Sequence, residues 1–135
     1  MERFVFSAPA AWPAGAPGQH AVGDAQLTVS ELGPLPENLP GFIAGELGGA
    51  GGALEKVGLA SGWPAVAAEA ADGDRRRLVL VIQILDHAVV ARLSGPAASF
   101  AAARVEVIAA LGGGTVVWGP PPFLAVAELL EGVHK

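Results

Sequence analysis

Apolar positions crowd most densely between Arg75 and Leu93, and there they do not alternate with polar ones. In the extended segment that begins at Arg75, Leu78, Leu80, Ile82 and Ile84 form one apolar row. Val79, Val81 and Leu85 form the other, and Gln83 is the polar exception. Successive side chains of a strand point to opposite faces, so a half-exposed strand alternates apolar and polar residues. A strand apolar in both rows needs a cover on each face, from helices of its own chain or from a partner. Asp86-His87 reads as a tight two-residue turn into a second strand that ends near Leu93. On the other side, the alanines of Pro64–Ala71 favour helix. The shortness of that segment, the leading Pro64 and the Asp72-Gly73-Asp74 turn decide for a strand hairpinned onto the first. The pattern therefore predicts a three-strand antiparallel meander from Pro64 to Leu93.

Around it the periodicity changes. Arg3–Ser7 reads as a short strand stopped by Pro9 and Pro13, and Ala14–Gly23 as a Pro/Gly-rich loop. Asp24–Glu31 alternates, with Ala25, Leu27 and Val29 on one face and Gln26, Thr28 and Ser30 on the other, so it belongs nearer a sheet edge. Asn38–Leu47 carries a helix entry at Asn38, Pro40 in the first turn and a stripe of Leu39, Phe42, Ile43 and Leu47. Leu54–Leu59 reads as a short strand. Pro96 opens a second helix over Ala97–Leu111, whose buried stripe is Phe100, Ala103, Val107, Ala110 and Leu111, with Arg104 and Glu106 off it. Thr115–Trp118 is one more short strand. A stiff spacer, Gly119-Pro120-Pro121-Pro122, then leads to an amphipathic helix over Phe123–Val133 with Phe123, Val126, Leu130 and Val133 in line.

These elements predict a single α+β domain over residues 1–135. Residues 1–118 form its body, and 119–135 add the spacer and helix. The body is a twisted, mostly antiparallel sheet of about five to seven strands packed by two to three helices.

Composition narrows the function more by exclusion than by assignment. There are 13 acidic against 8 basic side chains, a net charge of −5. That argues against nucleic acid, whose phosphates need clustered Lys and Arg. The one basic run, Arg75–Arg77, adjoins Asp72 and Asp74 and reads as a solvated strand end. No cysteine is present, which excludes disulfides and thiolate metal sites. Met1–Ser7 lacks the basic start and long apolar run of a signal peptide, and runs such as Leu78–Ile82 fall far short of a membrane span. A soluble cytoplasmic protein is the expectation.

The usual chemical motifs are missing. Gly45–Gly52 and Gly112–Gly114 follow helices, where glycine acts as a C-cap. They lack the Gly-Lys-Ser/Thr ending of a phosphate loop. His20, His87 and His134 are isolated in sequence, against the three or four convergent ligands that zinc requires. Ala60-Ser61-Gly62 is no nucleophile elbow. Asp72 with Asp74 is turn chemistry, and Glu128 with Glu131 is a wet helix face. An enzyme would need a polar pocket gathering His20, Asp24 or Asp86. The expectation is no enzyme, no cofactor and no metal. Trp12, Trp63 and Trp118 each adjoin a proline or a Gly-Pro, a placement that suits either a core lid or a recognition surface.

The order of these features resembles a known group. Pro9-Ala10-Ala11-Trp12 closes the first strand, and Ala25–Glu31 leads to a helix. A meander follows with turns at Asp72-Gly73 and Asp86-His87, then a helix start at Gly95-Pro96 with Phe100 inside. From Arg3 to Leu111 this is similar to the PsbP/Mog-like α/β/α fold, which includes DcrB-related bacterial proteins and the Eag-type chaperones of type VI secretion effectors. The resemblance implies a non-enzymatic accessory or adaptor protein. It would engage a protein partner, such as the hydrophobic segment of a secreted effector, through an apolar sheet face or its rim. Val79, Val81, Gln83, Val89 and Ala91, with Trp63 and Trp118, are the expected contact residues. A structural homodimer using the same face is the alternative, and a small ligand-processing enzyme the weaker one.

Overall fold

Turn chemistry divides the chain into its elements. In the computed structural model, which describes residues 2–13, 16, 18–49 and 53–118, nine strands and two helices are formed. The first strands are β1 (Glu2–Val5), β2 (Gln19–Val22), β3 (Ala25–Val29) and β4 (Gly33–Pro34), followed by the helix α1 (Leu39–Glu46). Next come β5 (Glu55–Val57), β6 (Ala65–Asp72), β7 (Arg75–Ile84) and β8 (His87–Pro96). The helix α2 (Ala97–Gly112) and the strand β9 (Thr115–Trp118) complete the described chain. Strands β2 to β8 form one seven-stranded antiparallel sheet in the order β2-β3-β8-β7-β6-β5, with β4 also pairing β8. β1 and β9 pair separately as a small antiparallel sheet. The result is the expected α+β domain. The spacer and the Phe123–Val133 helix lie outside the described residues.

The predicted antiparallel meander β6-β7-β8 is present, and β7 is central. Three local features differ from the sequence reading. The hairpin turn between β7 and β8 is Leu85-Asp86, one residue earlier than Asp86-His87, because His87 pairs with Ile84 and also with Pro34 of β4. Leu85 therefore takes the left-handed conformation, φ +59°, and stands 80% exposed at the tip. The segment read as a loop over Ala14–Gly23 contains β2, which forms a hairpin with β3 through Gly23-Asp24, Gly23 having φ +61°. Its four residues, Gln19-His20-Ala21-Val22, are too few and too polar to stand out among prolines and glycines. Pro96 precedes α2 as its cap residue rather than sitting in its first turn.

Each face of the sheet has its own core. Leu78, Leu80, Ile82 and Ile84 join Val89, Ala91, Leu93 and Leu27 beneath the Phe100, Ala103, Val107 and Leu111 stripe of α2. Val79 and Val81 face the other way, with Ala68, Ala70, Ala88 and Val90, beneath Ile43 and Leu47 of α1. β6 is rich in alanine, a residue depleted in strands. On the α1 face its small side chains lie beneath a helix of eight residues, letting that short cover sit close. Arg104 of α2 bonds Glu69 of β6 and Glu55 of β5, tying the larger helix to the sheet. Burial works against its charge, but the two carboxylates outweigh it and raise its pKa.

Leu85 gives a direct test of the hairpin. Left-handed backbone costs a non-glycine residue about 1–2 kcal/mol, and asparagine tolerates it better. Leu85→Asn is expected to raise stability by up to about 1 kcal/mol in urea unfolding, with the slope unchanged. A loss of stability would contradict this turn geometry.

Candidate functional site

The contact residues expected from sequence do not share one surface. In an antiparallel pair, directly opposed residues lie on the same face. Val81 opposes Val90 and Val79 opposes Arg92, whereas Val89 opposes Ile82 and Ala91 opposes Leu80. Val79, Val81 and Gln83 thus lie on the α1 face, and Val89 and Ala91 on the α2 face. This corrects the single contact face that sequence reading assembled. Even with the turn at Asp86-His87, Val89 would oppose Ile84 and Ala91 would oppose Ile82, so neither turn position puts them on the Val79–Val81 face. Trp63 packs against the core under α2, as a core lid would, and for Trp118 the structure describes the backbone alone, paired with Glu2.

Neither face is open at these positions. Val79, Val81, Val89 and Ala91 are all buried, and Gln83 is half-buried at the end of the α1 face. The cover over Val79 and Val81 is α1, and it is fastened at its C-terminal end. Arg92 of β8 donates Nε–H and Nη2–H to the two carboxylate oxygens of Glu46, both at 2.8 Å. Arg77 of β7 donates Nη2–H to the Leu47 carbonyl at 3.2 Å. Cations at a helix C-terminus meet its unsatisfied carbonyls favourably. The opposite end is closed by the Asn38 side chain, which accepts the Gly41 N–H at 3.1 Å. The hydrogen bond from Arg92, aided by its charge, holds the Glu46 carboxyl below the usual carboxylate range despite partial burial. Glu46 raises Arg92 in turn, chiefly through the same bond.

An accessible concavity lies instead at the rim of the sheet. Val29 of β3 pairs with Ala91 of β8 and Gly33 of β4 pairs with Ala88. Three residues, Ser30, Glu31 and Leu32, thus stand opposite the two residues Val89 and Val90, which makes a β-bulge. Ser30 repairs the interrupted ladder. Its N–H donates to the Val90 carbonyl at 2.8 Å, and its hydroxyl accepts the Val90 N–H at 2.9 Å. The bulge aims Glu31 and Leu32 into a cleft of about 580 Å³ that is also lined by Arg3, Phe4, Phe6 and His20. That volume is within the range of small-molecule and side-chain sites, about 300–1,000 Å³.

An aromatic group forms one wall. Phe4 and Phe6 have ring centroids 6.2 Å apart, Phe6 meets His20 edge-on at 5.5 Å, and Trp12 lies 5.6 Å beyond His20. Trp12 is 7% exposed, which is the core-lid role, and its buried indole N–H has no acceptor among the described residues. Phe4 lies so close to Gly114 that any β-carbon there would clash with its ring. Arg3 and Glu31 place opposite charges, both exposed, at the mouth.

The cleft can hold an apolar group between aromatic rings while presenting one cation, one anion, an imidazole and a hydroxyl. Asp24 and Asp86 do not line it; Asp86 sits at the far hairpin, 2.7 Å from His87. No three His, Asp or Glu side chains converge into a metal site among the described residues. No helix of the described residues is long and apolar enough to cross a membrane. Sequence reading missed the cleft because its lining comes from β1, β2 and the bulge, which no local spacing connects. The one available signal was the polar step Ser30-Glu31 at the end of an alternating strand. No protein-family model matches the chain, and no curated protein matches it.

The Glu46–Arg92 pair makes the α1 cover sensitive to acid. The folded pKa of Glu46 lies below its unfolded value of about 4.3, so the pair stabilises the fold above that pH. The contribution disappears as pH falls through the depressed folded value. Glu46→Gln is expected to cost about 0.5–1.5 kcal/mol near neutrality, a modest figure because the pair is partly exposed. Denaturant unfolding should show the gap between variant and parent closing below about pH 4. A gap independent of pH would show that the pair does not fasten the helix.

Proposed function

We propose that this protein is a non-enzymatic accessory protein that binds a segment of a protein partner at its rim cleft, with the cytoplasm as its compartment. One observation carries the reading: the bulge opens an aromatic-walled cleft while the chain's own helices bury both apolar faces of its sheet. The partner segment would offer an apolar side chain to Phe4 and Phe6, with charged neighbours meeting Arg3 and Glu31. Aromatic anchors ringed by polar groups are where binding energy concentrates in protein interfaces. The resemblance to PsbP/Mog-like adaptor modules, a group whose members bind at the sheet or its rim, supports the same reading. Burial of Val79 and Val81 weighs against a chaperone, or a homodimer, that uses that face.

The test is a displayed library of random short peptides selected on the protein. Selected peptides should share an apolar residue beside a charged one. Arg3 and Glu31 are exposed and their side chains make no hydrogen bond or ion pair to other described residues, so Arg3→Glu and Glu31→Lys are expected to leave the fold intact. Each should weaken or reverse the charge preference by about tenfold, a difference of roughly 1.4 kcal/mol. Peptides that bind both variants as well as the parent would place recognition elsewhere.

A further inference from the structure

The run Arg75-Arg76-Arg77 is only partly the solvated strand end that its sequence suggests. Arg76 points to the α2 side, where its Nε lies 3.8 Å from Glu69. Arg77 belongs to the α1 face and meets a second arginine there. In the strand register, Arg77 opposes Ser94, which opposes Gln26. One row along, Val79 opposes Arg92, which opposes Thr28. Arg77 and Arg92 are therefore diagonal neighbours, flanked by two hydroxyls and an amide on the same face. With Glu46 and Leu47 at the end of α1, these side chains line a second cavity of about 180 Å³.

Its hydrogen bonding is unbalanced. Glu46 occupies one edge of the Arg92 guanidinium, Nε with Nη2, and leaves the Nη1 side. Arg77 gives one Nη2–H to Leu47, and its buried Nε–H has no partner among the described residues. The side chains of Gln26, Thr28 and Ser94 make no hydrogen bond to other described residues. Two cations face one carboxylate, a local charge of +1 in a chain of net −5. Buried donors ordinarily find acceptors, and guanidinium forks match oxyanions best. The donors come from three strands, an arrangement that suits a tetrahedral anion better than a second planar carboxylate. The cavity is smaller than the roughly 300–1,000 Å³ that enclose whole drug-sized ligands, so it takes a headgroup and leaves any attached body outside.

We propose that this corner of the sheet is a binding site for a phosphate group, either free phosphate or the end of a small phosphate ester. Glu46 acts there as an internal competitor: it holds Arg92 when the site is empty and yields part of that arginine to the ligand. This gives two substitutions opposite effects. Arg77→Lys keeps the charge but removes the fork, and it should weaken binding by about tenfold. Glu46→Gln removes the competing charge and should tighten binding by a similar factor, about tenfold, near neutral pH.

The experiment titrates inorganic phosphate and phenyl phosphate into the protein, following backbone amide resonances, with chloride and acetate at matched ionic strength as references. Saturable shifts at Gln26, Thr28, Arg77 and Ser94 are expected with phosphate and not with the references. Tighter binding of phenyl phosphate identifies an ester as the ligand, and tighter binding of the inorganic ion identifies free phosphate. Should Arg77→Lys lose its folded spectrum, Thr28→Val, at an exposed position, replaces it and should weaken phosphate in the same direction. The proposal is overturned if acetate or chloride reproduces the shifts, or if Glu46→Gln leaves phosphate affinity unchanged or weaker.

Discussion

Both rows of β7 carry branched apolar side chains, so a strand in the middle of the sheet must be shielded from water twice over. Each large side chain left exposed would forfeit about 1.5–3 kcal/mol of burial. The molecule meets this constraint unequally. On one face α2, four turns long, lays Phe100, Ala103, Val107 and Leu111 across the Leu78–Ile84 row. On the other, a two-turn helix suffices because β6 and β8 present alanines at Ala68, Ala70 and Ala88, so α1 can approach closely. A helix that short gains little from its own backbone bonding and depends on tertiary contacts. The Arg92–Glu46 fork and the Arg77–Leu47 bond supply fixed attachment where its apolar stripe ends.

The same economy leaves the polar features of the molecule at the ends of the sheet. Where α1 stops, the face turns from valine to arginine, and the residues that fasten the helix also line a donor-rich cavity. Where β3 gives way to β4, one extra residue lifts Glu31 and Leu32 out of the ladder and opens the rim cleft against β1. Polar groups thus gather where a helix cover ends or where the ladder is interrupted, the latter a common place for bulges to act. The apolar centre of the sheet serves as the frame.

Much of the frame was readable from the chain. Strong patterning identified β7, β8 and α2, the flanking Pro64 and Asp72-Gly73-Asp74 turn decided β6 against the helix preference of its alanines, and Asn38 with Gly48-Gly49 bounded α1, because each signal is local. The demand for two covers on β7 was also readable, but not their identity. The Phe123–Val133 helix was one candidate, and α1 turned out to cover the Val79 row. The β7-β8 hairpin was the weak point: its turn is Leu85-Asp86 rather than Asp86-His87. Grouping Val89 and Ala91 with Val79 and Val81 mixed two faces, because odd-numbered β7 residues oppose even-numbered β8 residues. Leucine is an unlikely residue for a left-handed turn position, and the pairing of His87 with both Ile84 and Pro34 overrides that local preference. β2 and both clefts stayed hidden because they arise from residues far apart in sequence.

The central claim is that the Val79–Val81 row is sealed by α1. It is tested most directly by the effect of a soluble paramagnetic probe on valine and leucine methyl resonances. The account predicts strong broadening at Leu85, which stands exposed at the hairpin tip, and none at Val79 or Val81. Broadening of the two valines to the extent seen at Leu85 would mean that the face is open, and the account of this fold would fail.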